Sequence, residues 1–135
     1  FTFRWEEALA FEAGSAPFIM YAHTRACSIA RKADGLAESS NQLPTVSEMP
    51  EGLVELLRTI CKHNDVLERS VREQKPHLFA LHMLDLATAY NGFYRDCAVV
   101  KNGRVNGFAF SISETARALL RSGLEGLGIN PIEEM

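Results

Sequence analysis

The stretch from Pro76 to Cys97 constrains this chain most. At about 100° per residue, Phe79, Met83, Leu86, Ala87, Tyr90, Phe93, Tyr94 and Cys97 fall within roughly 120° of arc. The opposite face carries Asp85, Thr88, Arg95 and Asp96. A helix that long with one apolar face needs other elements to cover it. It is therefore the expected central core helix.

Helix signals recur on either side. Trp5 to Phe11 reads as a short helix, broken by Gly14-Ser15-Ala16-Pro17. Pro17 suits a first helical position, and Gly35 is a stop signal, so a second helix is expected over Pro17–Ala33. Pro50 opens a third helix through about Lys62, and Asn64 is a good N-cap for a fourth, to about Gln74. Ser111 and Glu114 have capping-box spacing, which predicts a last helix to about Leu127, closed by Gly128. Asn102-Gly103 and Asn106-Gly107 are turn signals, and only Val99–Val105 has strand character. Residues 38–45 read as a polar, flexible connection. The expected architecture is an all-α bundle of five or six helices.

Length and charge narrow the function. The chain has 135 residues, room for one domain, expected to be 1–135 as a single unit. A second domain with its own cofactor fold is excluded. The opening Phe1-Thr2-Phe3-Arg4-Trp5 begins mid-pattern, as in a piece of a longer protein, and no signal peptide is visible. No apolar run approaches the roughly 20 residues of a membrane span. Net charge is −3, which rules out a uniformly basic nucleic-acid coat but leaves room for a local patch. Three widely spaced cysteines predict an intracellular chain with buried thiols, not a disulfide framework.

The second helix carries two stripes. Ile19, Ala22, Ala26, Ala30 and Ala33 form a small-residue side for close helix packing. Beside it, Phe18, Tyr21, Arg25, Ser28 and Lys32 fall within about 80° of arc. Rings that stack on bases, an arginine fork, a hydroxyl and a lysine for phosphate suit single-stranded nucleic acid. An amphipathic flank with half-buried rings and wet charges explains the same residues. Composition leaves both readings open.

Other constellations are weaker. His23 and Cys27 stand four apart, but no second ligand pair has metal spacing, so no metal is expected; core thiols and surface histidines fit these residues better. Gly123 to Gly128 is glycine-rich at a helix end, whereas a phosphate cradle precedes a helix, so a C-cap fits better. Carboxylate pairs are adjacent rather than opposed, and no nucleophile motif or Walker loop occurs. The chain is expected to have no catalytic residues of its own.

Three segments carry a family resemblance. Glu12-Ala13-Gly14-Ser15-Ala16-Pro17-Phe18-Ile19-Met20-Tyr21-Ala22-His23-Thr24-Arg25 resembles the E-G-x-x-x-P-Y-L-Q-Y-A-H-x-R stretch of arginyl-tRNA synthetases. Asp85-Leu86-Ala87-Thr88-Ala89-Tyr90-Asn91-Gly92-Phe93-Tyr94 resembles their D-L-A-x-x-(F/Y)-N-x-F-Y helix. Gly126-Leu127-Gly128-Ile129-Asn130-Pro131-Ile132-Glu133-Glu134-Met135 resembles their C-terminus, L-L-G-I-x-x-P-E-R-M. The order matches and nearly spans the chain. Phe18, Met20 and Glu134 depart from the usual Tyr, Gln and Arg. Of the D-A-L-R-x-x-R-L stretch, Ser111 to Leu119 keeps only Arg117 and Leu119.

The resemblance implies a helical anticodon-binding domain of a class I aminoacyl-tRNA synthetase, with arginine tRNA as partner through its anticodon stem-loop. The parent enzyme would be a cytoplasmic ligase that joins arginine to tRNA using ATP. This piece, lacking the signature motifs, would be a non-catalytic monomer without cofactor, metal or membrane contact. The residues matching Tyr21, Arg25, Tyr90 and Met135 would meet the anticodon loop. Tyr90 sits mid-core by angle, so that role requires its hydroxyl to reach a groove. A stand-alone tRNA-binding homologue and a helical protein-interaction module are the alternatives.

Overall fold

The computed structural model describes residues 4–8, 14–39 and 43–135. Six α-helices lie among them: α1 (Trp5–Ala8), α2 (Ala16–Ala33), α3 (Glu51–Cys61), α4 (His63–Arg72), α5 (Pro76–Asp96) and α6 (Gly107–Gly126). The expected extension of α1 to Phe11 falls outside the described residues. The helical bundle expected from periodicity is the architecture found. Its core is built on α5, where Met83, Leu86, Ala87, Tyr90 and Phe93 lose all contact with water. Leu56 of α3, Ala22 and Ala26 of α2, and Ala116, Leu120 and Leu124 of α6 close around them. The alanine side of α2 works as its spacing suggests: Ala22 and Ala26 are wholly buried where α2 packs on α5 and α6, with Ile19 and Ile29 buried beside them.

Helix boundaries follow local chemistry. Ser15 is the N-cap of α2, its Oγ accepting from Phe18 N at 3.4 Å, with Pro17 in the first turn. At the other end of the fold, α6 closes in a Schellman motif. Ile129 N donates to Leu124 O at 2.9 Å, Gly128 N donates to Glu125 O at 3.0 Å, and Gly128 takes φ of 77°. The glycine-rich segment is thus a C-cap, as read.

Three local expectations are corrected. Asn64 is not a cap: α3 turns into α4 through Lys62 alone, with φ −81° and ψ −10°, and no side chain caps α4. Ser111 and Glu114 are not a capping box either. The N-cap of α6 lies five residues earlier, at Asn106, whose Oδ1 accepts from Ala109 N at 3.1 Å. Ser111 Oγ instead donates back to Gly107 O at 2.9 Å, and Glu114 pairs with Arg117.

The third correction is a small sheet in the order β1-β3-β2. β2 (Val100–Lys101) and β3 (Arg104–Asn106) form a hairpin with Val100 opposite Val105. Its turn is Asn102-Gly103, at φ 53° and 70°, the positive pair a two-residue primed turn demands. β1 (Ala37–Ser39) lies parallel to β3, Glu38 opposite Val105, in the segment expected to be a flexible connection. Ser39 Oγ donates to Val105 O at 2.9 Å. Nothing in Ala-Glu-Ser favours a strand; a partner 66 residues away makes it one.

Histidines at the helix contacts make the fold pH-sensitive. The expectation of surface histidines and core thiols is corrected: His23, His63 and His82 are buried, while Cys61 is exposed and only Cys27 is a buried thiol. His63 Nδ1 lies 3.2 Å from His82 Nε2, so one ring donates and the other accepts. Burial holds all three below the usual histidine range. Each ring charges on unfolding before it charges in the fold, so protons favour the unfolded chain. Stability is therefore complete above the unfolded pKa of about 6.5 and falls as pH drops below it. The urea midpoint should decline steadily between about pH 7 and about pH 5, reversibly. A flat midpoint over that window would contradict neutral, buried rings.

Candidate nucleic-acid interface

One face of α2 meets α5 and the C-terminal tail around a groove of about 390 Å³. Tyr21, Thr24, Arg25, Ser28 and Arg31 supply one wall, Tyr94 the second, and Glu133, Glu134 and Met135 the third. Such a volume is in the range of small-ligand clefts. A second depression continues it across Phe18, Asn91, Gly92 and Arg95, with Arg25 and Tyr94 shared between the two.

Arg25 is the organising side chain. Its guanidinium carbon lies 4.4 Å from the Tyr21 ring centroid and 4.8 Å from that of Tyr94, so two aromatic faces flank it. Nη1 donates to Asn91 Oδ1 at 2.8 Å and Nη2 donates to the Tyr21 hydroxyl at 3.0 Å. A guanidinium has five N–H groups, so most remain for an external acceptor. Rotamer freedom is already lost before any ligand arrives, which lowers the entropy cost of binding. The arrangement needs helical spacing on both sides: Tyr21 and Arg25 stand four apart on α2, and Asn91 and Tyr94 three apart on α5.

The sequence-derived stripe divides here. Tyr21, Arg25, Ser28 and Met135 line the groove, and Phe18 lines the adjoining depression. Lys32 is exposed but outside both; Arg31, one residue earlier, lines the groove instead. Tyr90 requires correction. It is where helical angle placed it, wholly buried, and its hydroxyl is 2.8 Å from Ser113 Oγ rather than in a groove. Burial pushes that hydroxyl far above the usual tyrosine range. With no exposed surface it offers nothing to a base. Tyr94, one turn on and only partly buried, supplies the aromatic wall. Sequence reasoning put Tyr94 on the core face with Tyr90, and helical angle could not separate them, since Ala87 lies farther round the same arc and is wholly buried.

Residues 19–135, most of the chain, match the DALR anticodon binding domain family. The chain belongs to that family. It resembles the arginine–tRNA ligase of Archaeoglobus fulgidus at 41% identity, over 99% of this chain and 24% of that protein. The ligase of Thermococcus kodakarensis is 37% identical over 99% of this chain and 22% of its own length. Among solved structures, Thermus thermophilus arginyl-tRNA synthetase superposes with a TM-score of 0.76 at 29% identity, covering 98% of this chain and 23% of that one. The chain thus spans about a quarter of the relatives it matches. No helix among the described residues is long and apolar enough to cross a membrane. Among the same residues, no three His, Cys, Asp or Glu side chains are gathered as metal ligands would be.

The DALR tail is tethered rather than frayed. His23 Nδ1 lies 2.8 Å from Ile132 O. Arg31 Nη1 donates to Glu133 O at 3.2 Å, and Arg31 and Arg121 pair with Glu134 and Glu133 at 3.7 and 3.8 Å. Met135, though exposed, ends at the groove rim.

Proposed function

We propose that this domain recognises the anticodon loop of arginine tRNA, and that the longer protein around it joins arginine to that tRNA using ATP in the cytoplasm. The observation that carries the reading is Arg25, held on the groove wall between Tyr21 and Tyr94 with N–H groups left over beyond its bonds to Asn91 and Tyr21. Every arginine codon has a middle G, so every arginine anticodon has a middle C. Loop bases are recognised once they leave the stack, by ring stacking and by their Watson–Crick edges. Cytosine presents the N4 donor and the O2 and N3 acceptors. The Arg25 N–H groups meet the acceptors; Glu133 or Glu134 at the opposite wall meets N4. This explains carboxylates in a groove meant for RNA, since the tail groups face a base edge rather than phosphate. Tyr21 stacks on a splayed base. Lys32, outside the groove, serves as a peripheral phosphate contact. The domain does this as a monomer, without metal or cofactor.

The test is binding of the arginine anticodon stem-loop against the same loop with its middle C changed. The expected preference is about tenfold or more, the discrimination of one well-made edge contact. Equal binding of both loops contradicts the reading, and no binding of either favours a protein-interaction role.

A further inference from the structure

We propose that His23 is a positioning residue for this groove: its Nδ1–H clasps the Ile132 carbonyl and so sets Glu133, Glu134 and Met135 against Tyr21 and Arg25. The inference rests on the anticodon reading for its consequence, but the clasp itself can be tested without RNA.

The tail needs such a device. Regular structure ends at Gly126, and the last backbone hydrogen bond of the C-cap is that of Ile129. From Asn130 onward no helix or strand holds the chain. Arg31 and Arg121 reach the tail through exposed side chains, and exposed ion pairs contribute little. The His23 bond differs in kind. The imidazole is only 1% exposed, and its bond joins residues 109 apart in sequence. Hydrogen bonds removed from water hold geometry most firmly, because breaking one strands a buried polar group.

The protonation state follows from the partners. A carbonyl only accepts, so Nδ1 carries the proton. Nε2 is then a bare acceptor. Cys27 Sγ packs against the same ring, 3.6 Å from Nε2 and 3.9 Å from Nδ1. Burial, with Arg117 and Arg121 nearby, holds His23 below the usual histidine range, against the opposing pull of Ile132 O and Glu133. The ring is neutral at pH 7.

The position of His23 couples this clasp to the groove. Tyr21, His23 and Arg25 alternate on one helix, about 200° apart at each step, so His23 points inward while the others face the groove. A single rigid turn of α2 therefore carries both the Arg25 clamp and the anchor of the opposite wall.

The decisive variants are His23→Gln, whose amide lies toward the wrong ring nitrogen, and His23→Asn, whose amide approximates Nδ1. Each is made in the whole 135-residue chain and in a chain lacking Glu133, Glu134 and Met135. Three readouts apply: affinity for the arginine anticodon stem-loop, methyl NMR of 13C-labelled Met135, and melting temperature. The truncation alone should weaken RNA binding and leave the melting temperature nearly unchanged. In the whole chain His23→Gln should cost roughly three- to tenfold in affinity, the scale of one hydrogen bond, and sharpen the Met135 methyl signal. In the truncated chain the same substitution should change affinity less than about twofold, since coupled residues lose their effects together. His23→Asn should restore both properties.

An unchanged Met135 signal in His23→Gln overturns the clasp. Equal affinity losses in both backgrounds overturn the positioning role, because His23 would then act without the tail. If His23→Gln fails to fold, 15N NMR of the unaltered protein still decides: an Nδ1–H tautomer supports the clasp and an Nε2–H tautomer refutes it. If the unaltered chain shows no preference for the arginine loop, the anticodon reading fails, and the methyl and tautomer results judge the clasp alone.

Discussion

Tyr21→Ala is expected to weaken binding of the arginine anticodon stem-loop by about 1–3 kcal/mol, the measured scale for losing one base-stacking ring. The ring is 37% exposed and lies on the groove wall, so a base has a face to meet. Its loss also removes one aromatic flank of Arg25 and the acceptor for Nη2. Arg25→Lys should weaken binding too, because an ammonium cannot hold Asn91 and present a fork at once. The same substitution should also lower the melting temperature, because Arg25 is partly buried and bridges α2 to Asn91 of α5. A fall of a few degrees is expected, at about 4 °C per kcal/mol for a chain of this size. Tyr90→Phe provides the contrast. It strands the buried Ser113 hydroxyl and should cost about 1 kcal/mol or more of stability while RNA affinity stays at the wild-type value. Filter binding and thermal melts on the three variants decide the matter. Full affinity in Tyr21→Ala, or a specific affinity loss in Tyr90→Phe, would return the contact to the buried face.

Gly52→Ala is expected to destabilise the fold strongly for the addition of a single methyl group. Gly52 is buried in the first turn of α3, where that helix crosses α5. A Cβ there would lie 2.7 Å from both the carbonyl carbon and oxygen of Gly92 and 2.8 Å from Asp96 Oδ2. Two of these atoms are backbone and cannot rotate aside, so α3 must move away from α5. Overpacking of this kind typically costs about 1–3 kcal/mol. A second loss follows at the helix terminus. Pro50 gives α3 no side-chain cap; the Asp96 carboxylate stands close beside that N-terminus at Gly52. Its hydrogen bond to Arg95, with help from the Gly52 backbone, holds the Asp96 carboxyl below the usual range. Displacing α3 breaks this contact. Gly92→Ala tests the geometry from the other side. A Cβ on Gly92 meets nothing within 4 Å, so helix propensity alone should act and stabilise by up to about 1 kcal/mol. Urea unfolding of the two variants should therefore move in opposite directions. Equal shifts would mean that propensity, and not the α3–α5 approach, sets the outcome.

The long helices were legible because each carries a local rule over many turns. Pro76, the apolar arc of α5 and the alanine side of α2 act within single elements, so no partner is needed to read them. What failed was local in the wrong sense. Asn64 and Ser111 have the chemistry of caps, yet neither caps a helix, because the preceding residues continue or begin helical structure on account of their packing. Asn106 and Gly107 read as a turn and became a helix start. β1 could not be read at all, since its strand character belongs to its pairing with Val105.

The candidate site shows the same division. Spacing alone assembled Phe18, Tyr21, Arg25 and Ser28 on one face of α2, since helical geometry fixes which side chains share a face. It could not say that Arg25 would be clamped by Asn91 and Tyr94, because that depends on how α2 and α5 pack. Nor could spacing separate Tyr90 from Tyr94. They lie about 40° apart on one helix, and only the position of α6, with Ser113 waiting for a hydroxyl, decides which ring is sealed and which lines the groove. The sequence determined the helices and the chemistry each face carries. The tertiary structure decided which faces meet, because burial, clamping and the anchoring of the tail by His23 all require groups that the chain brings together from far apart.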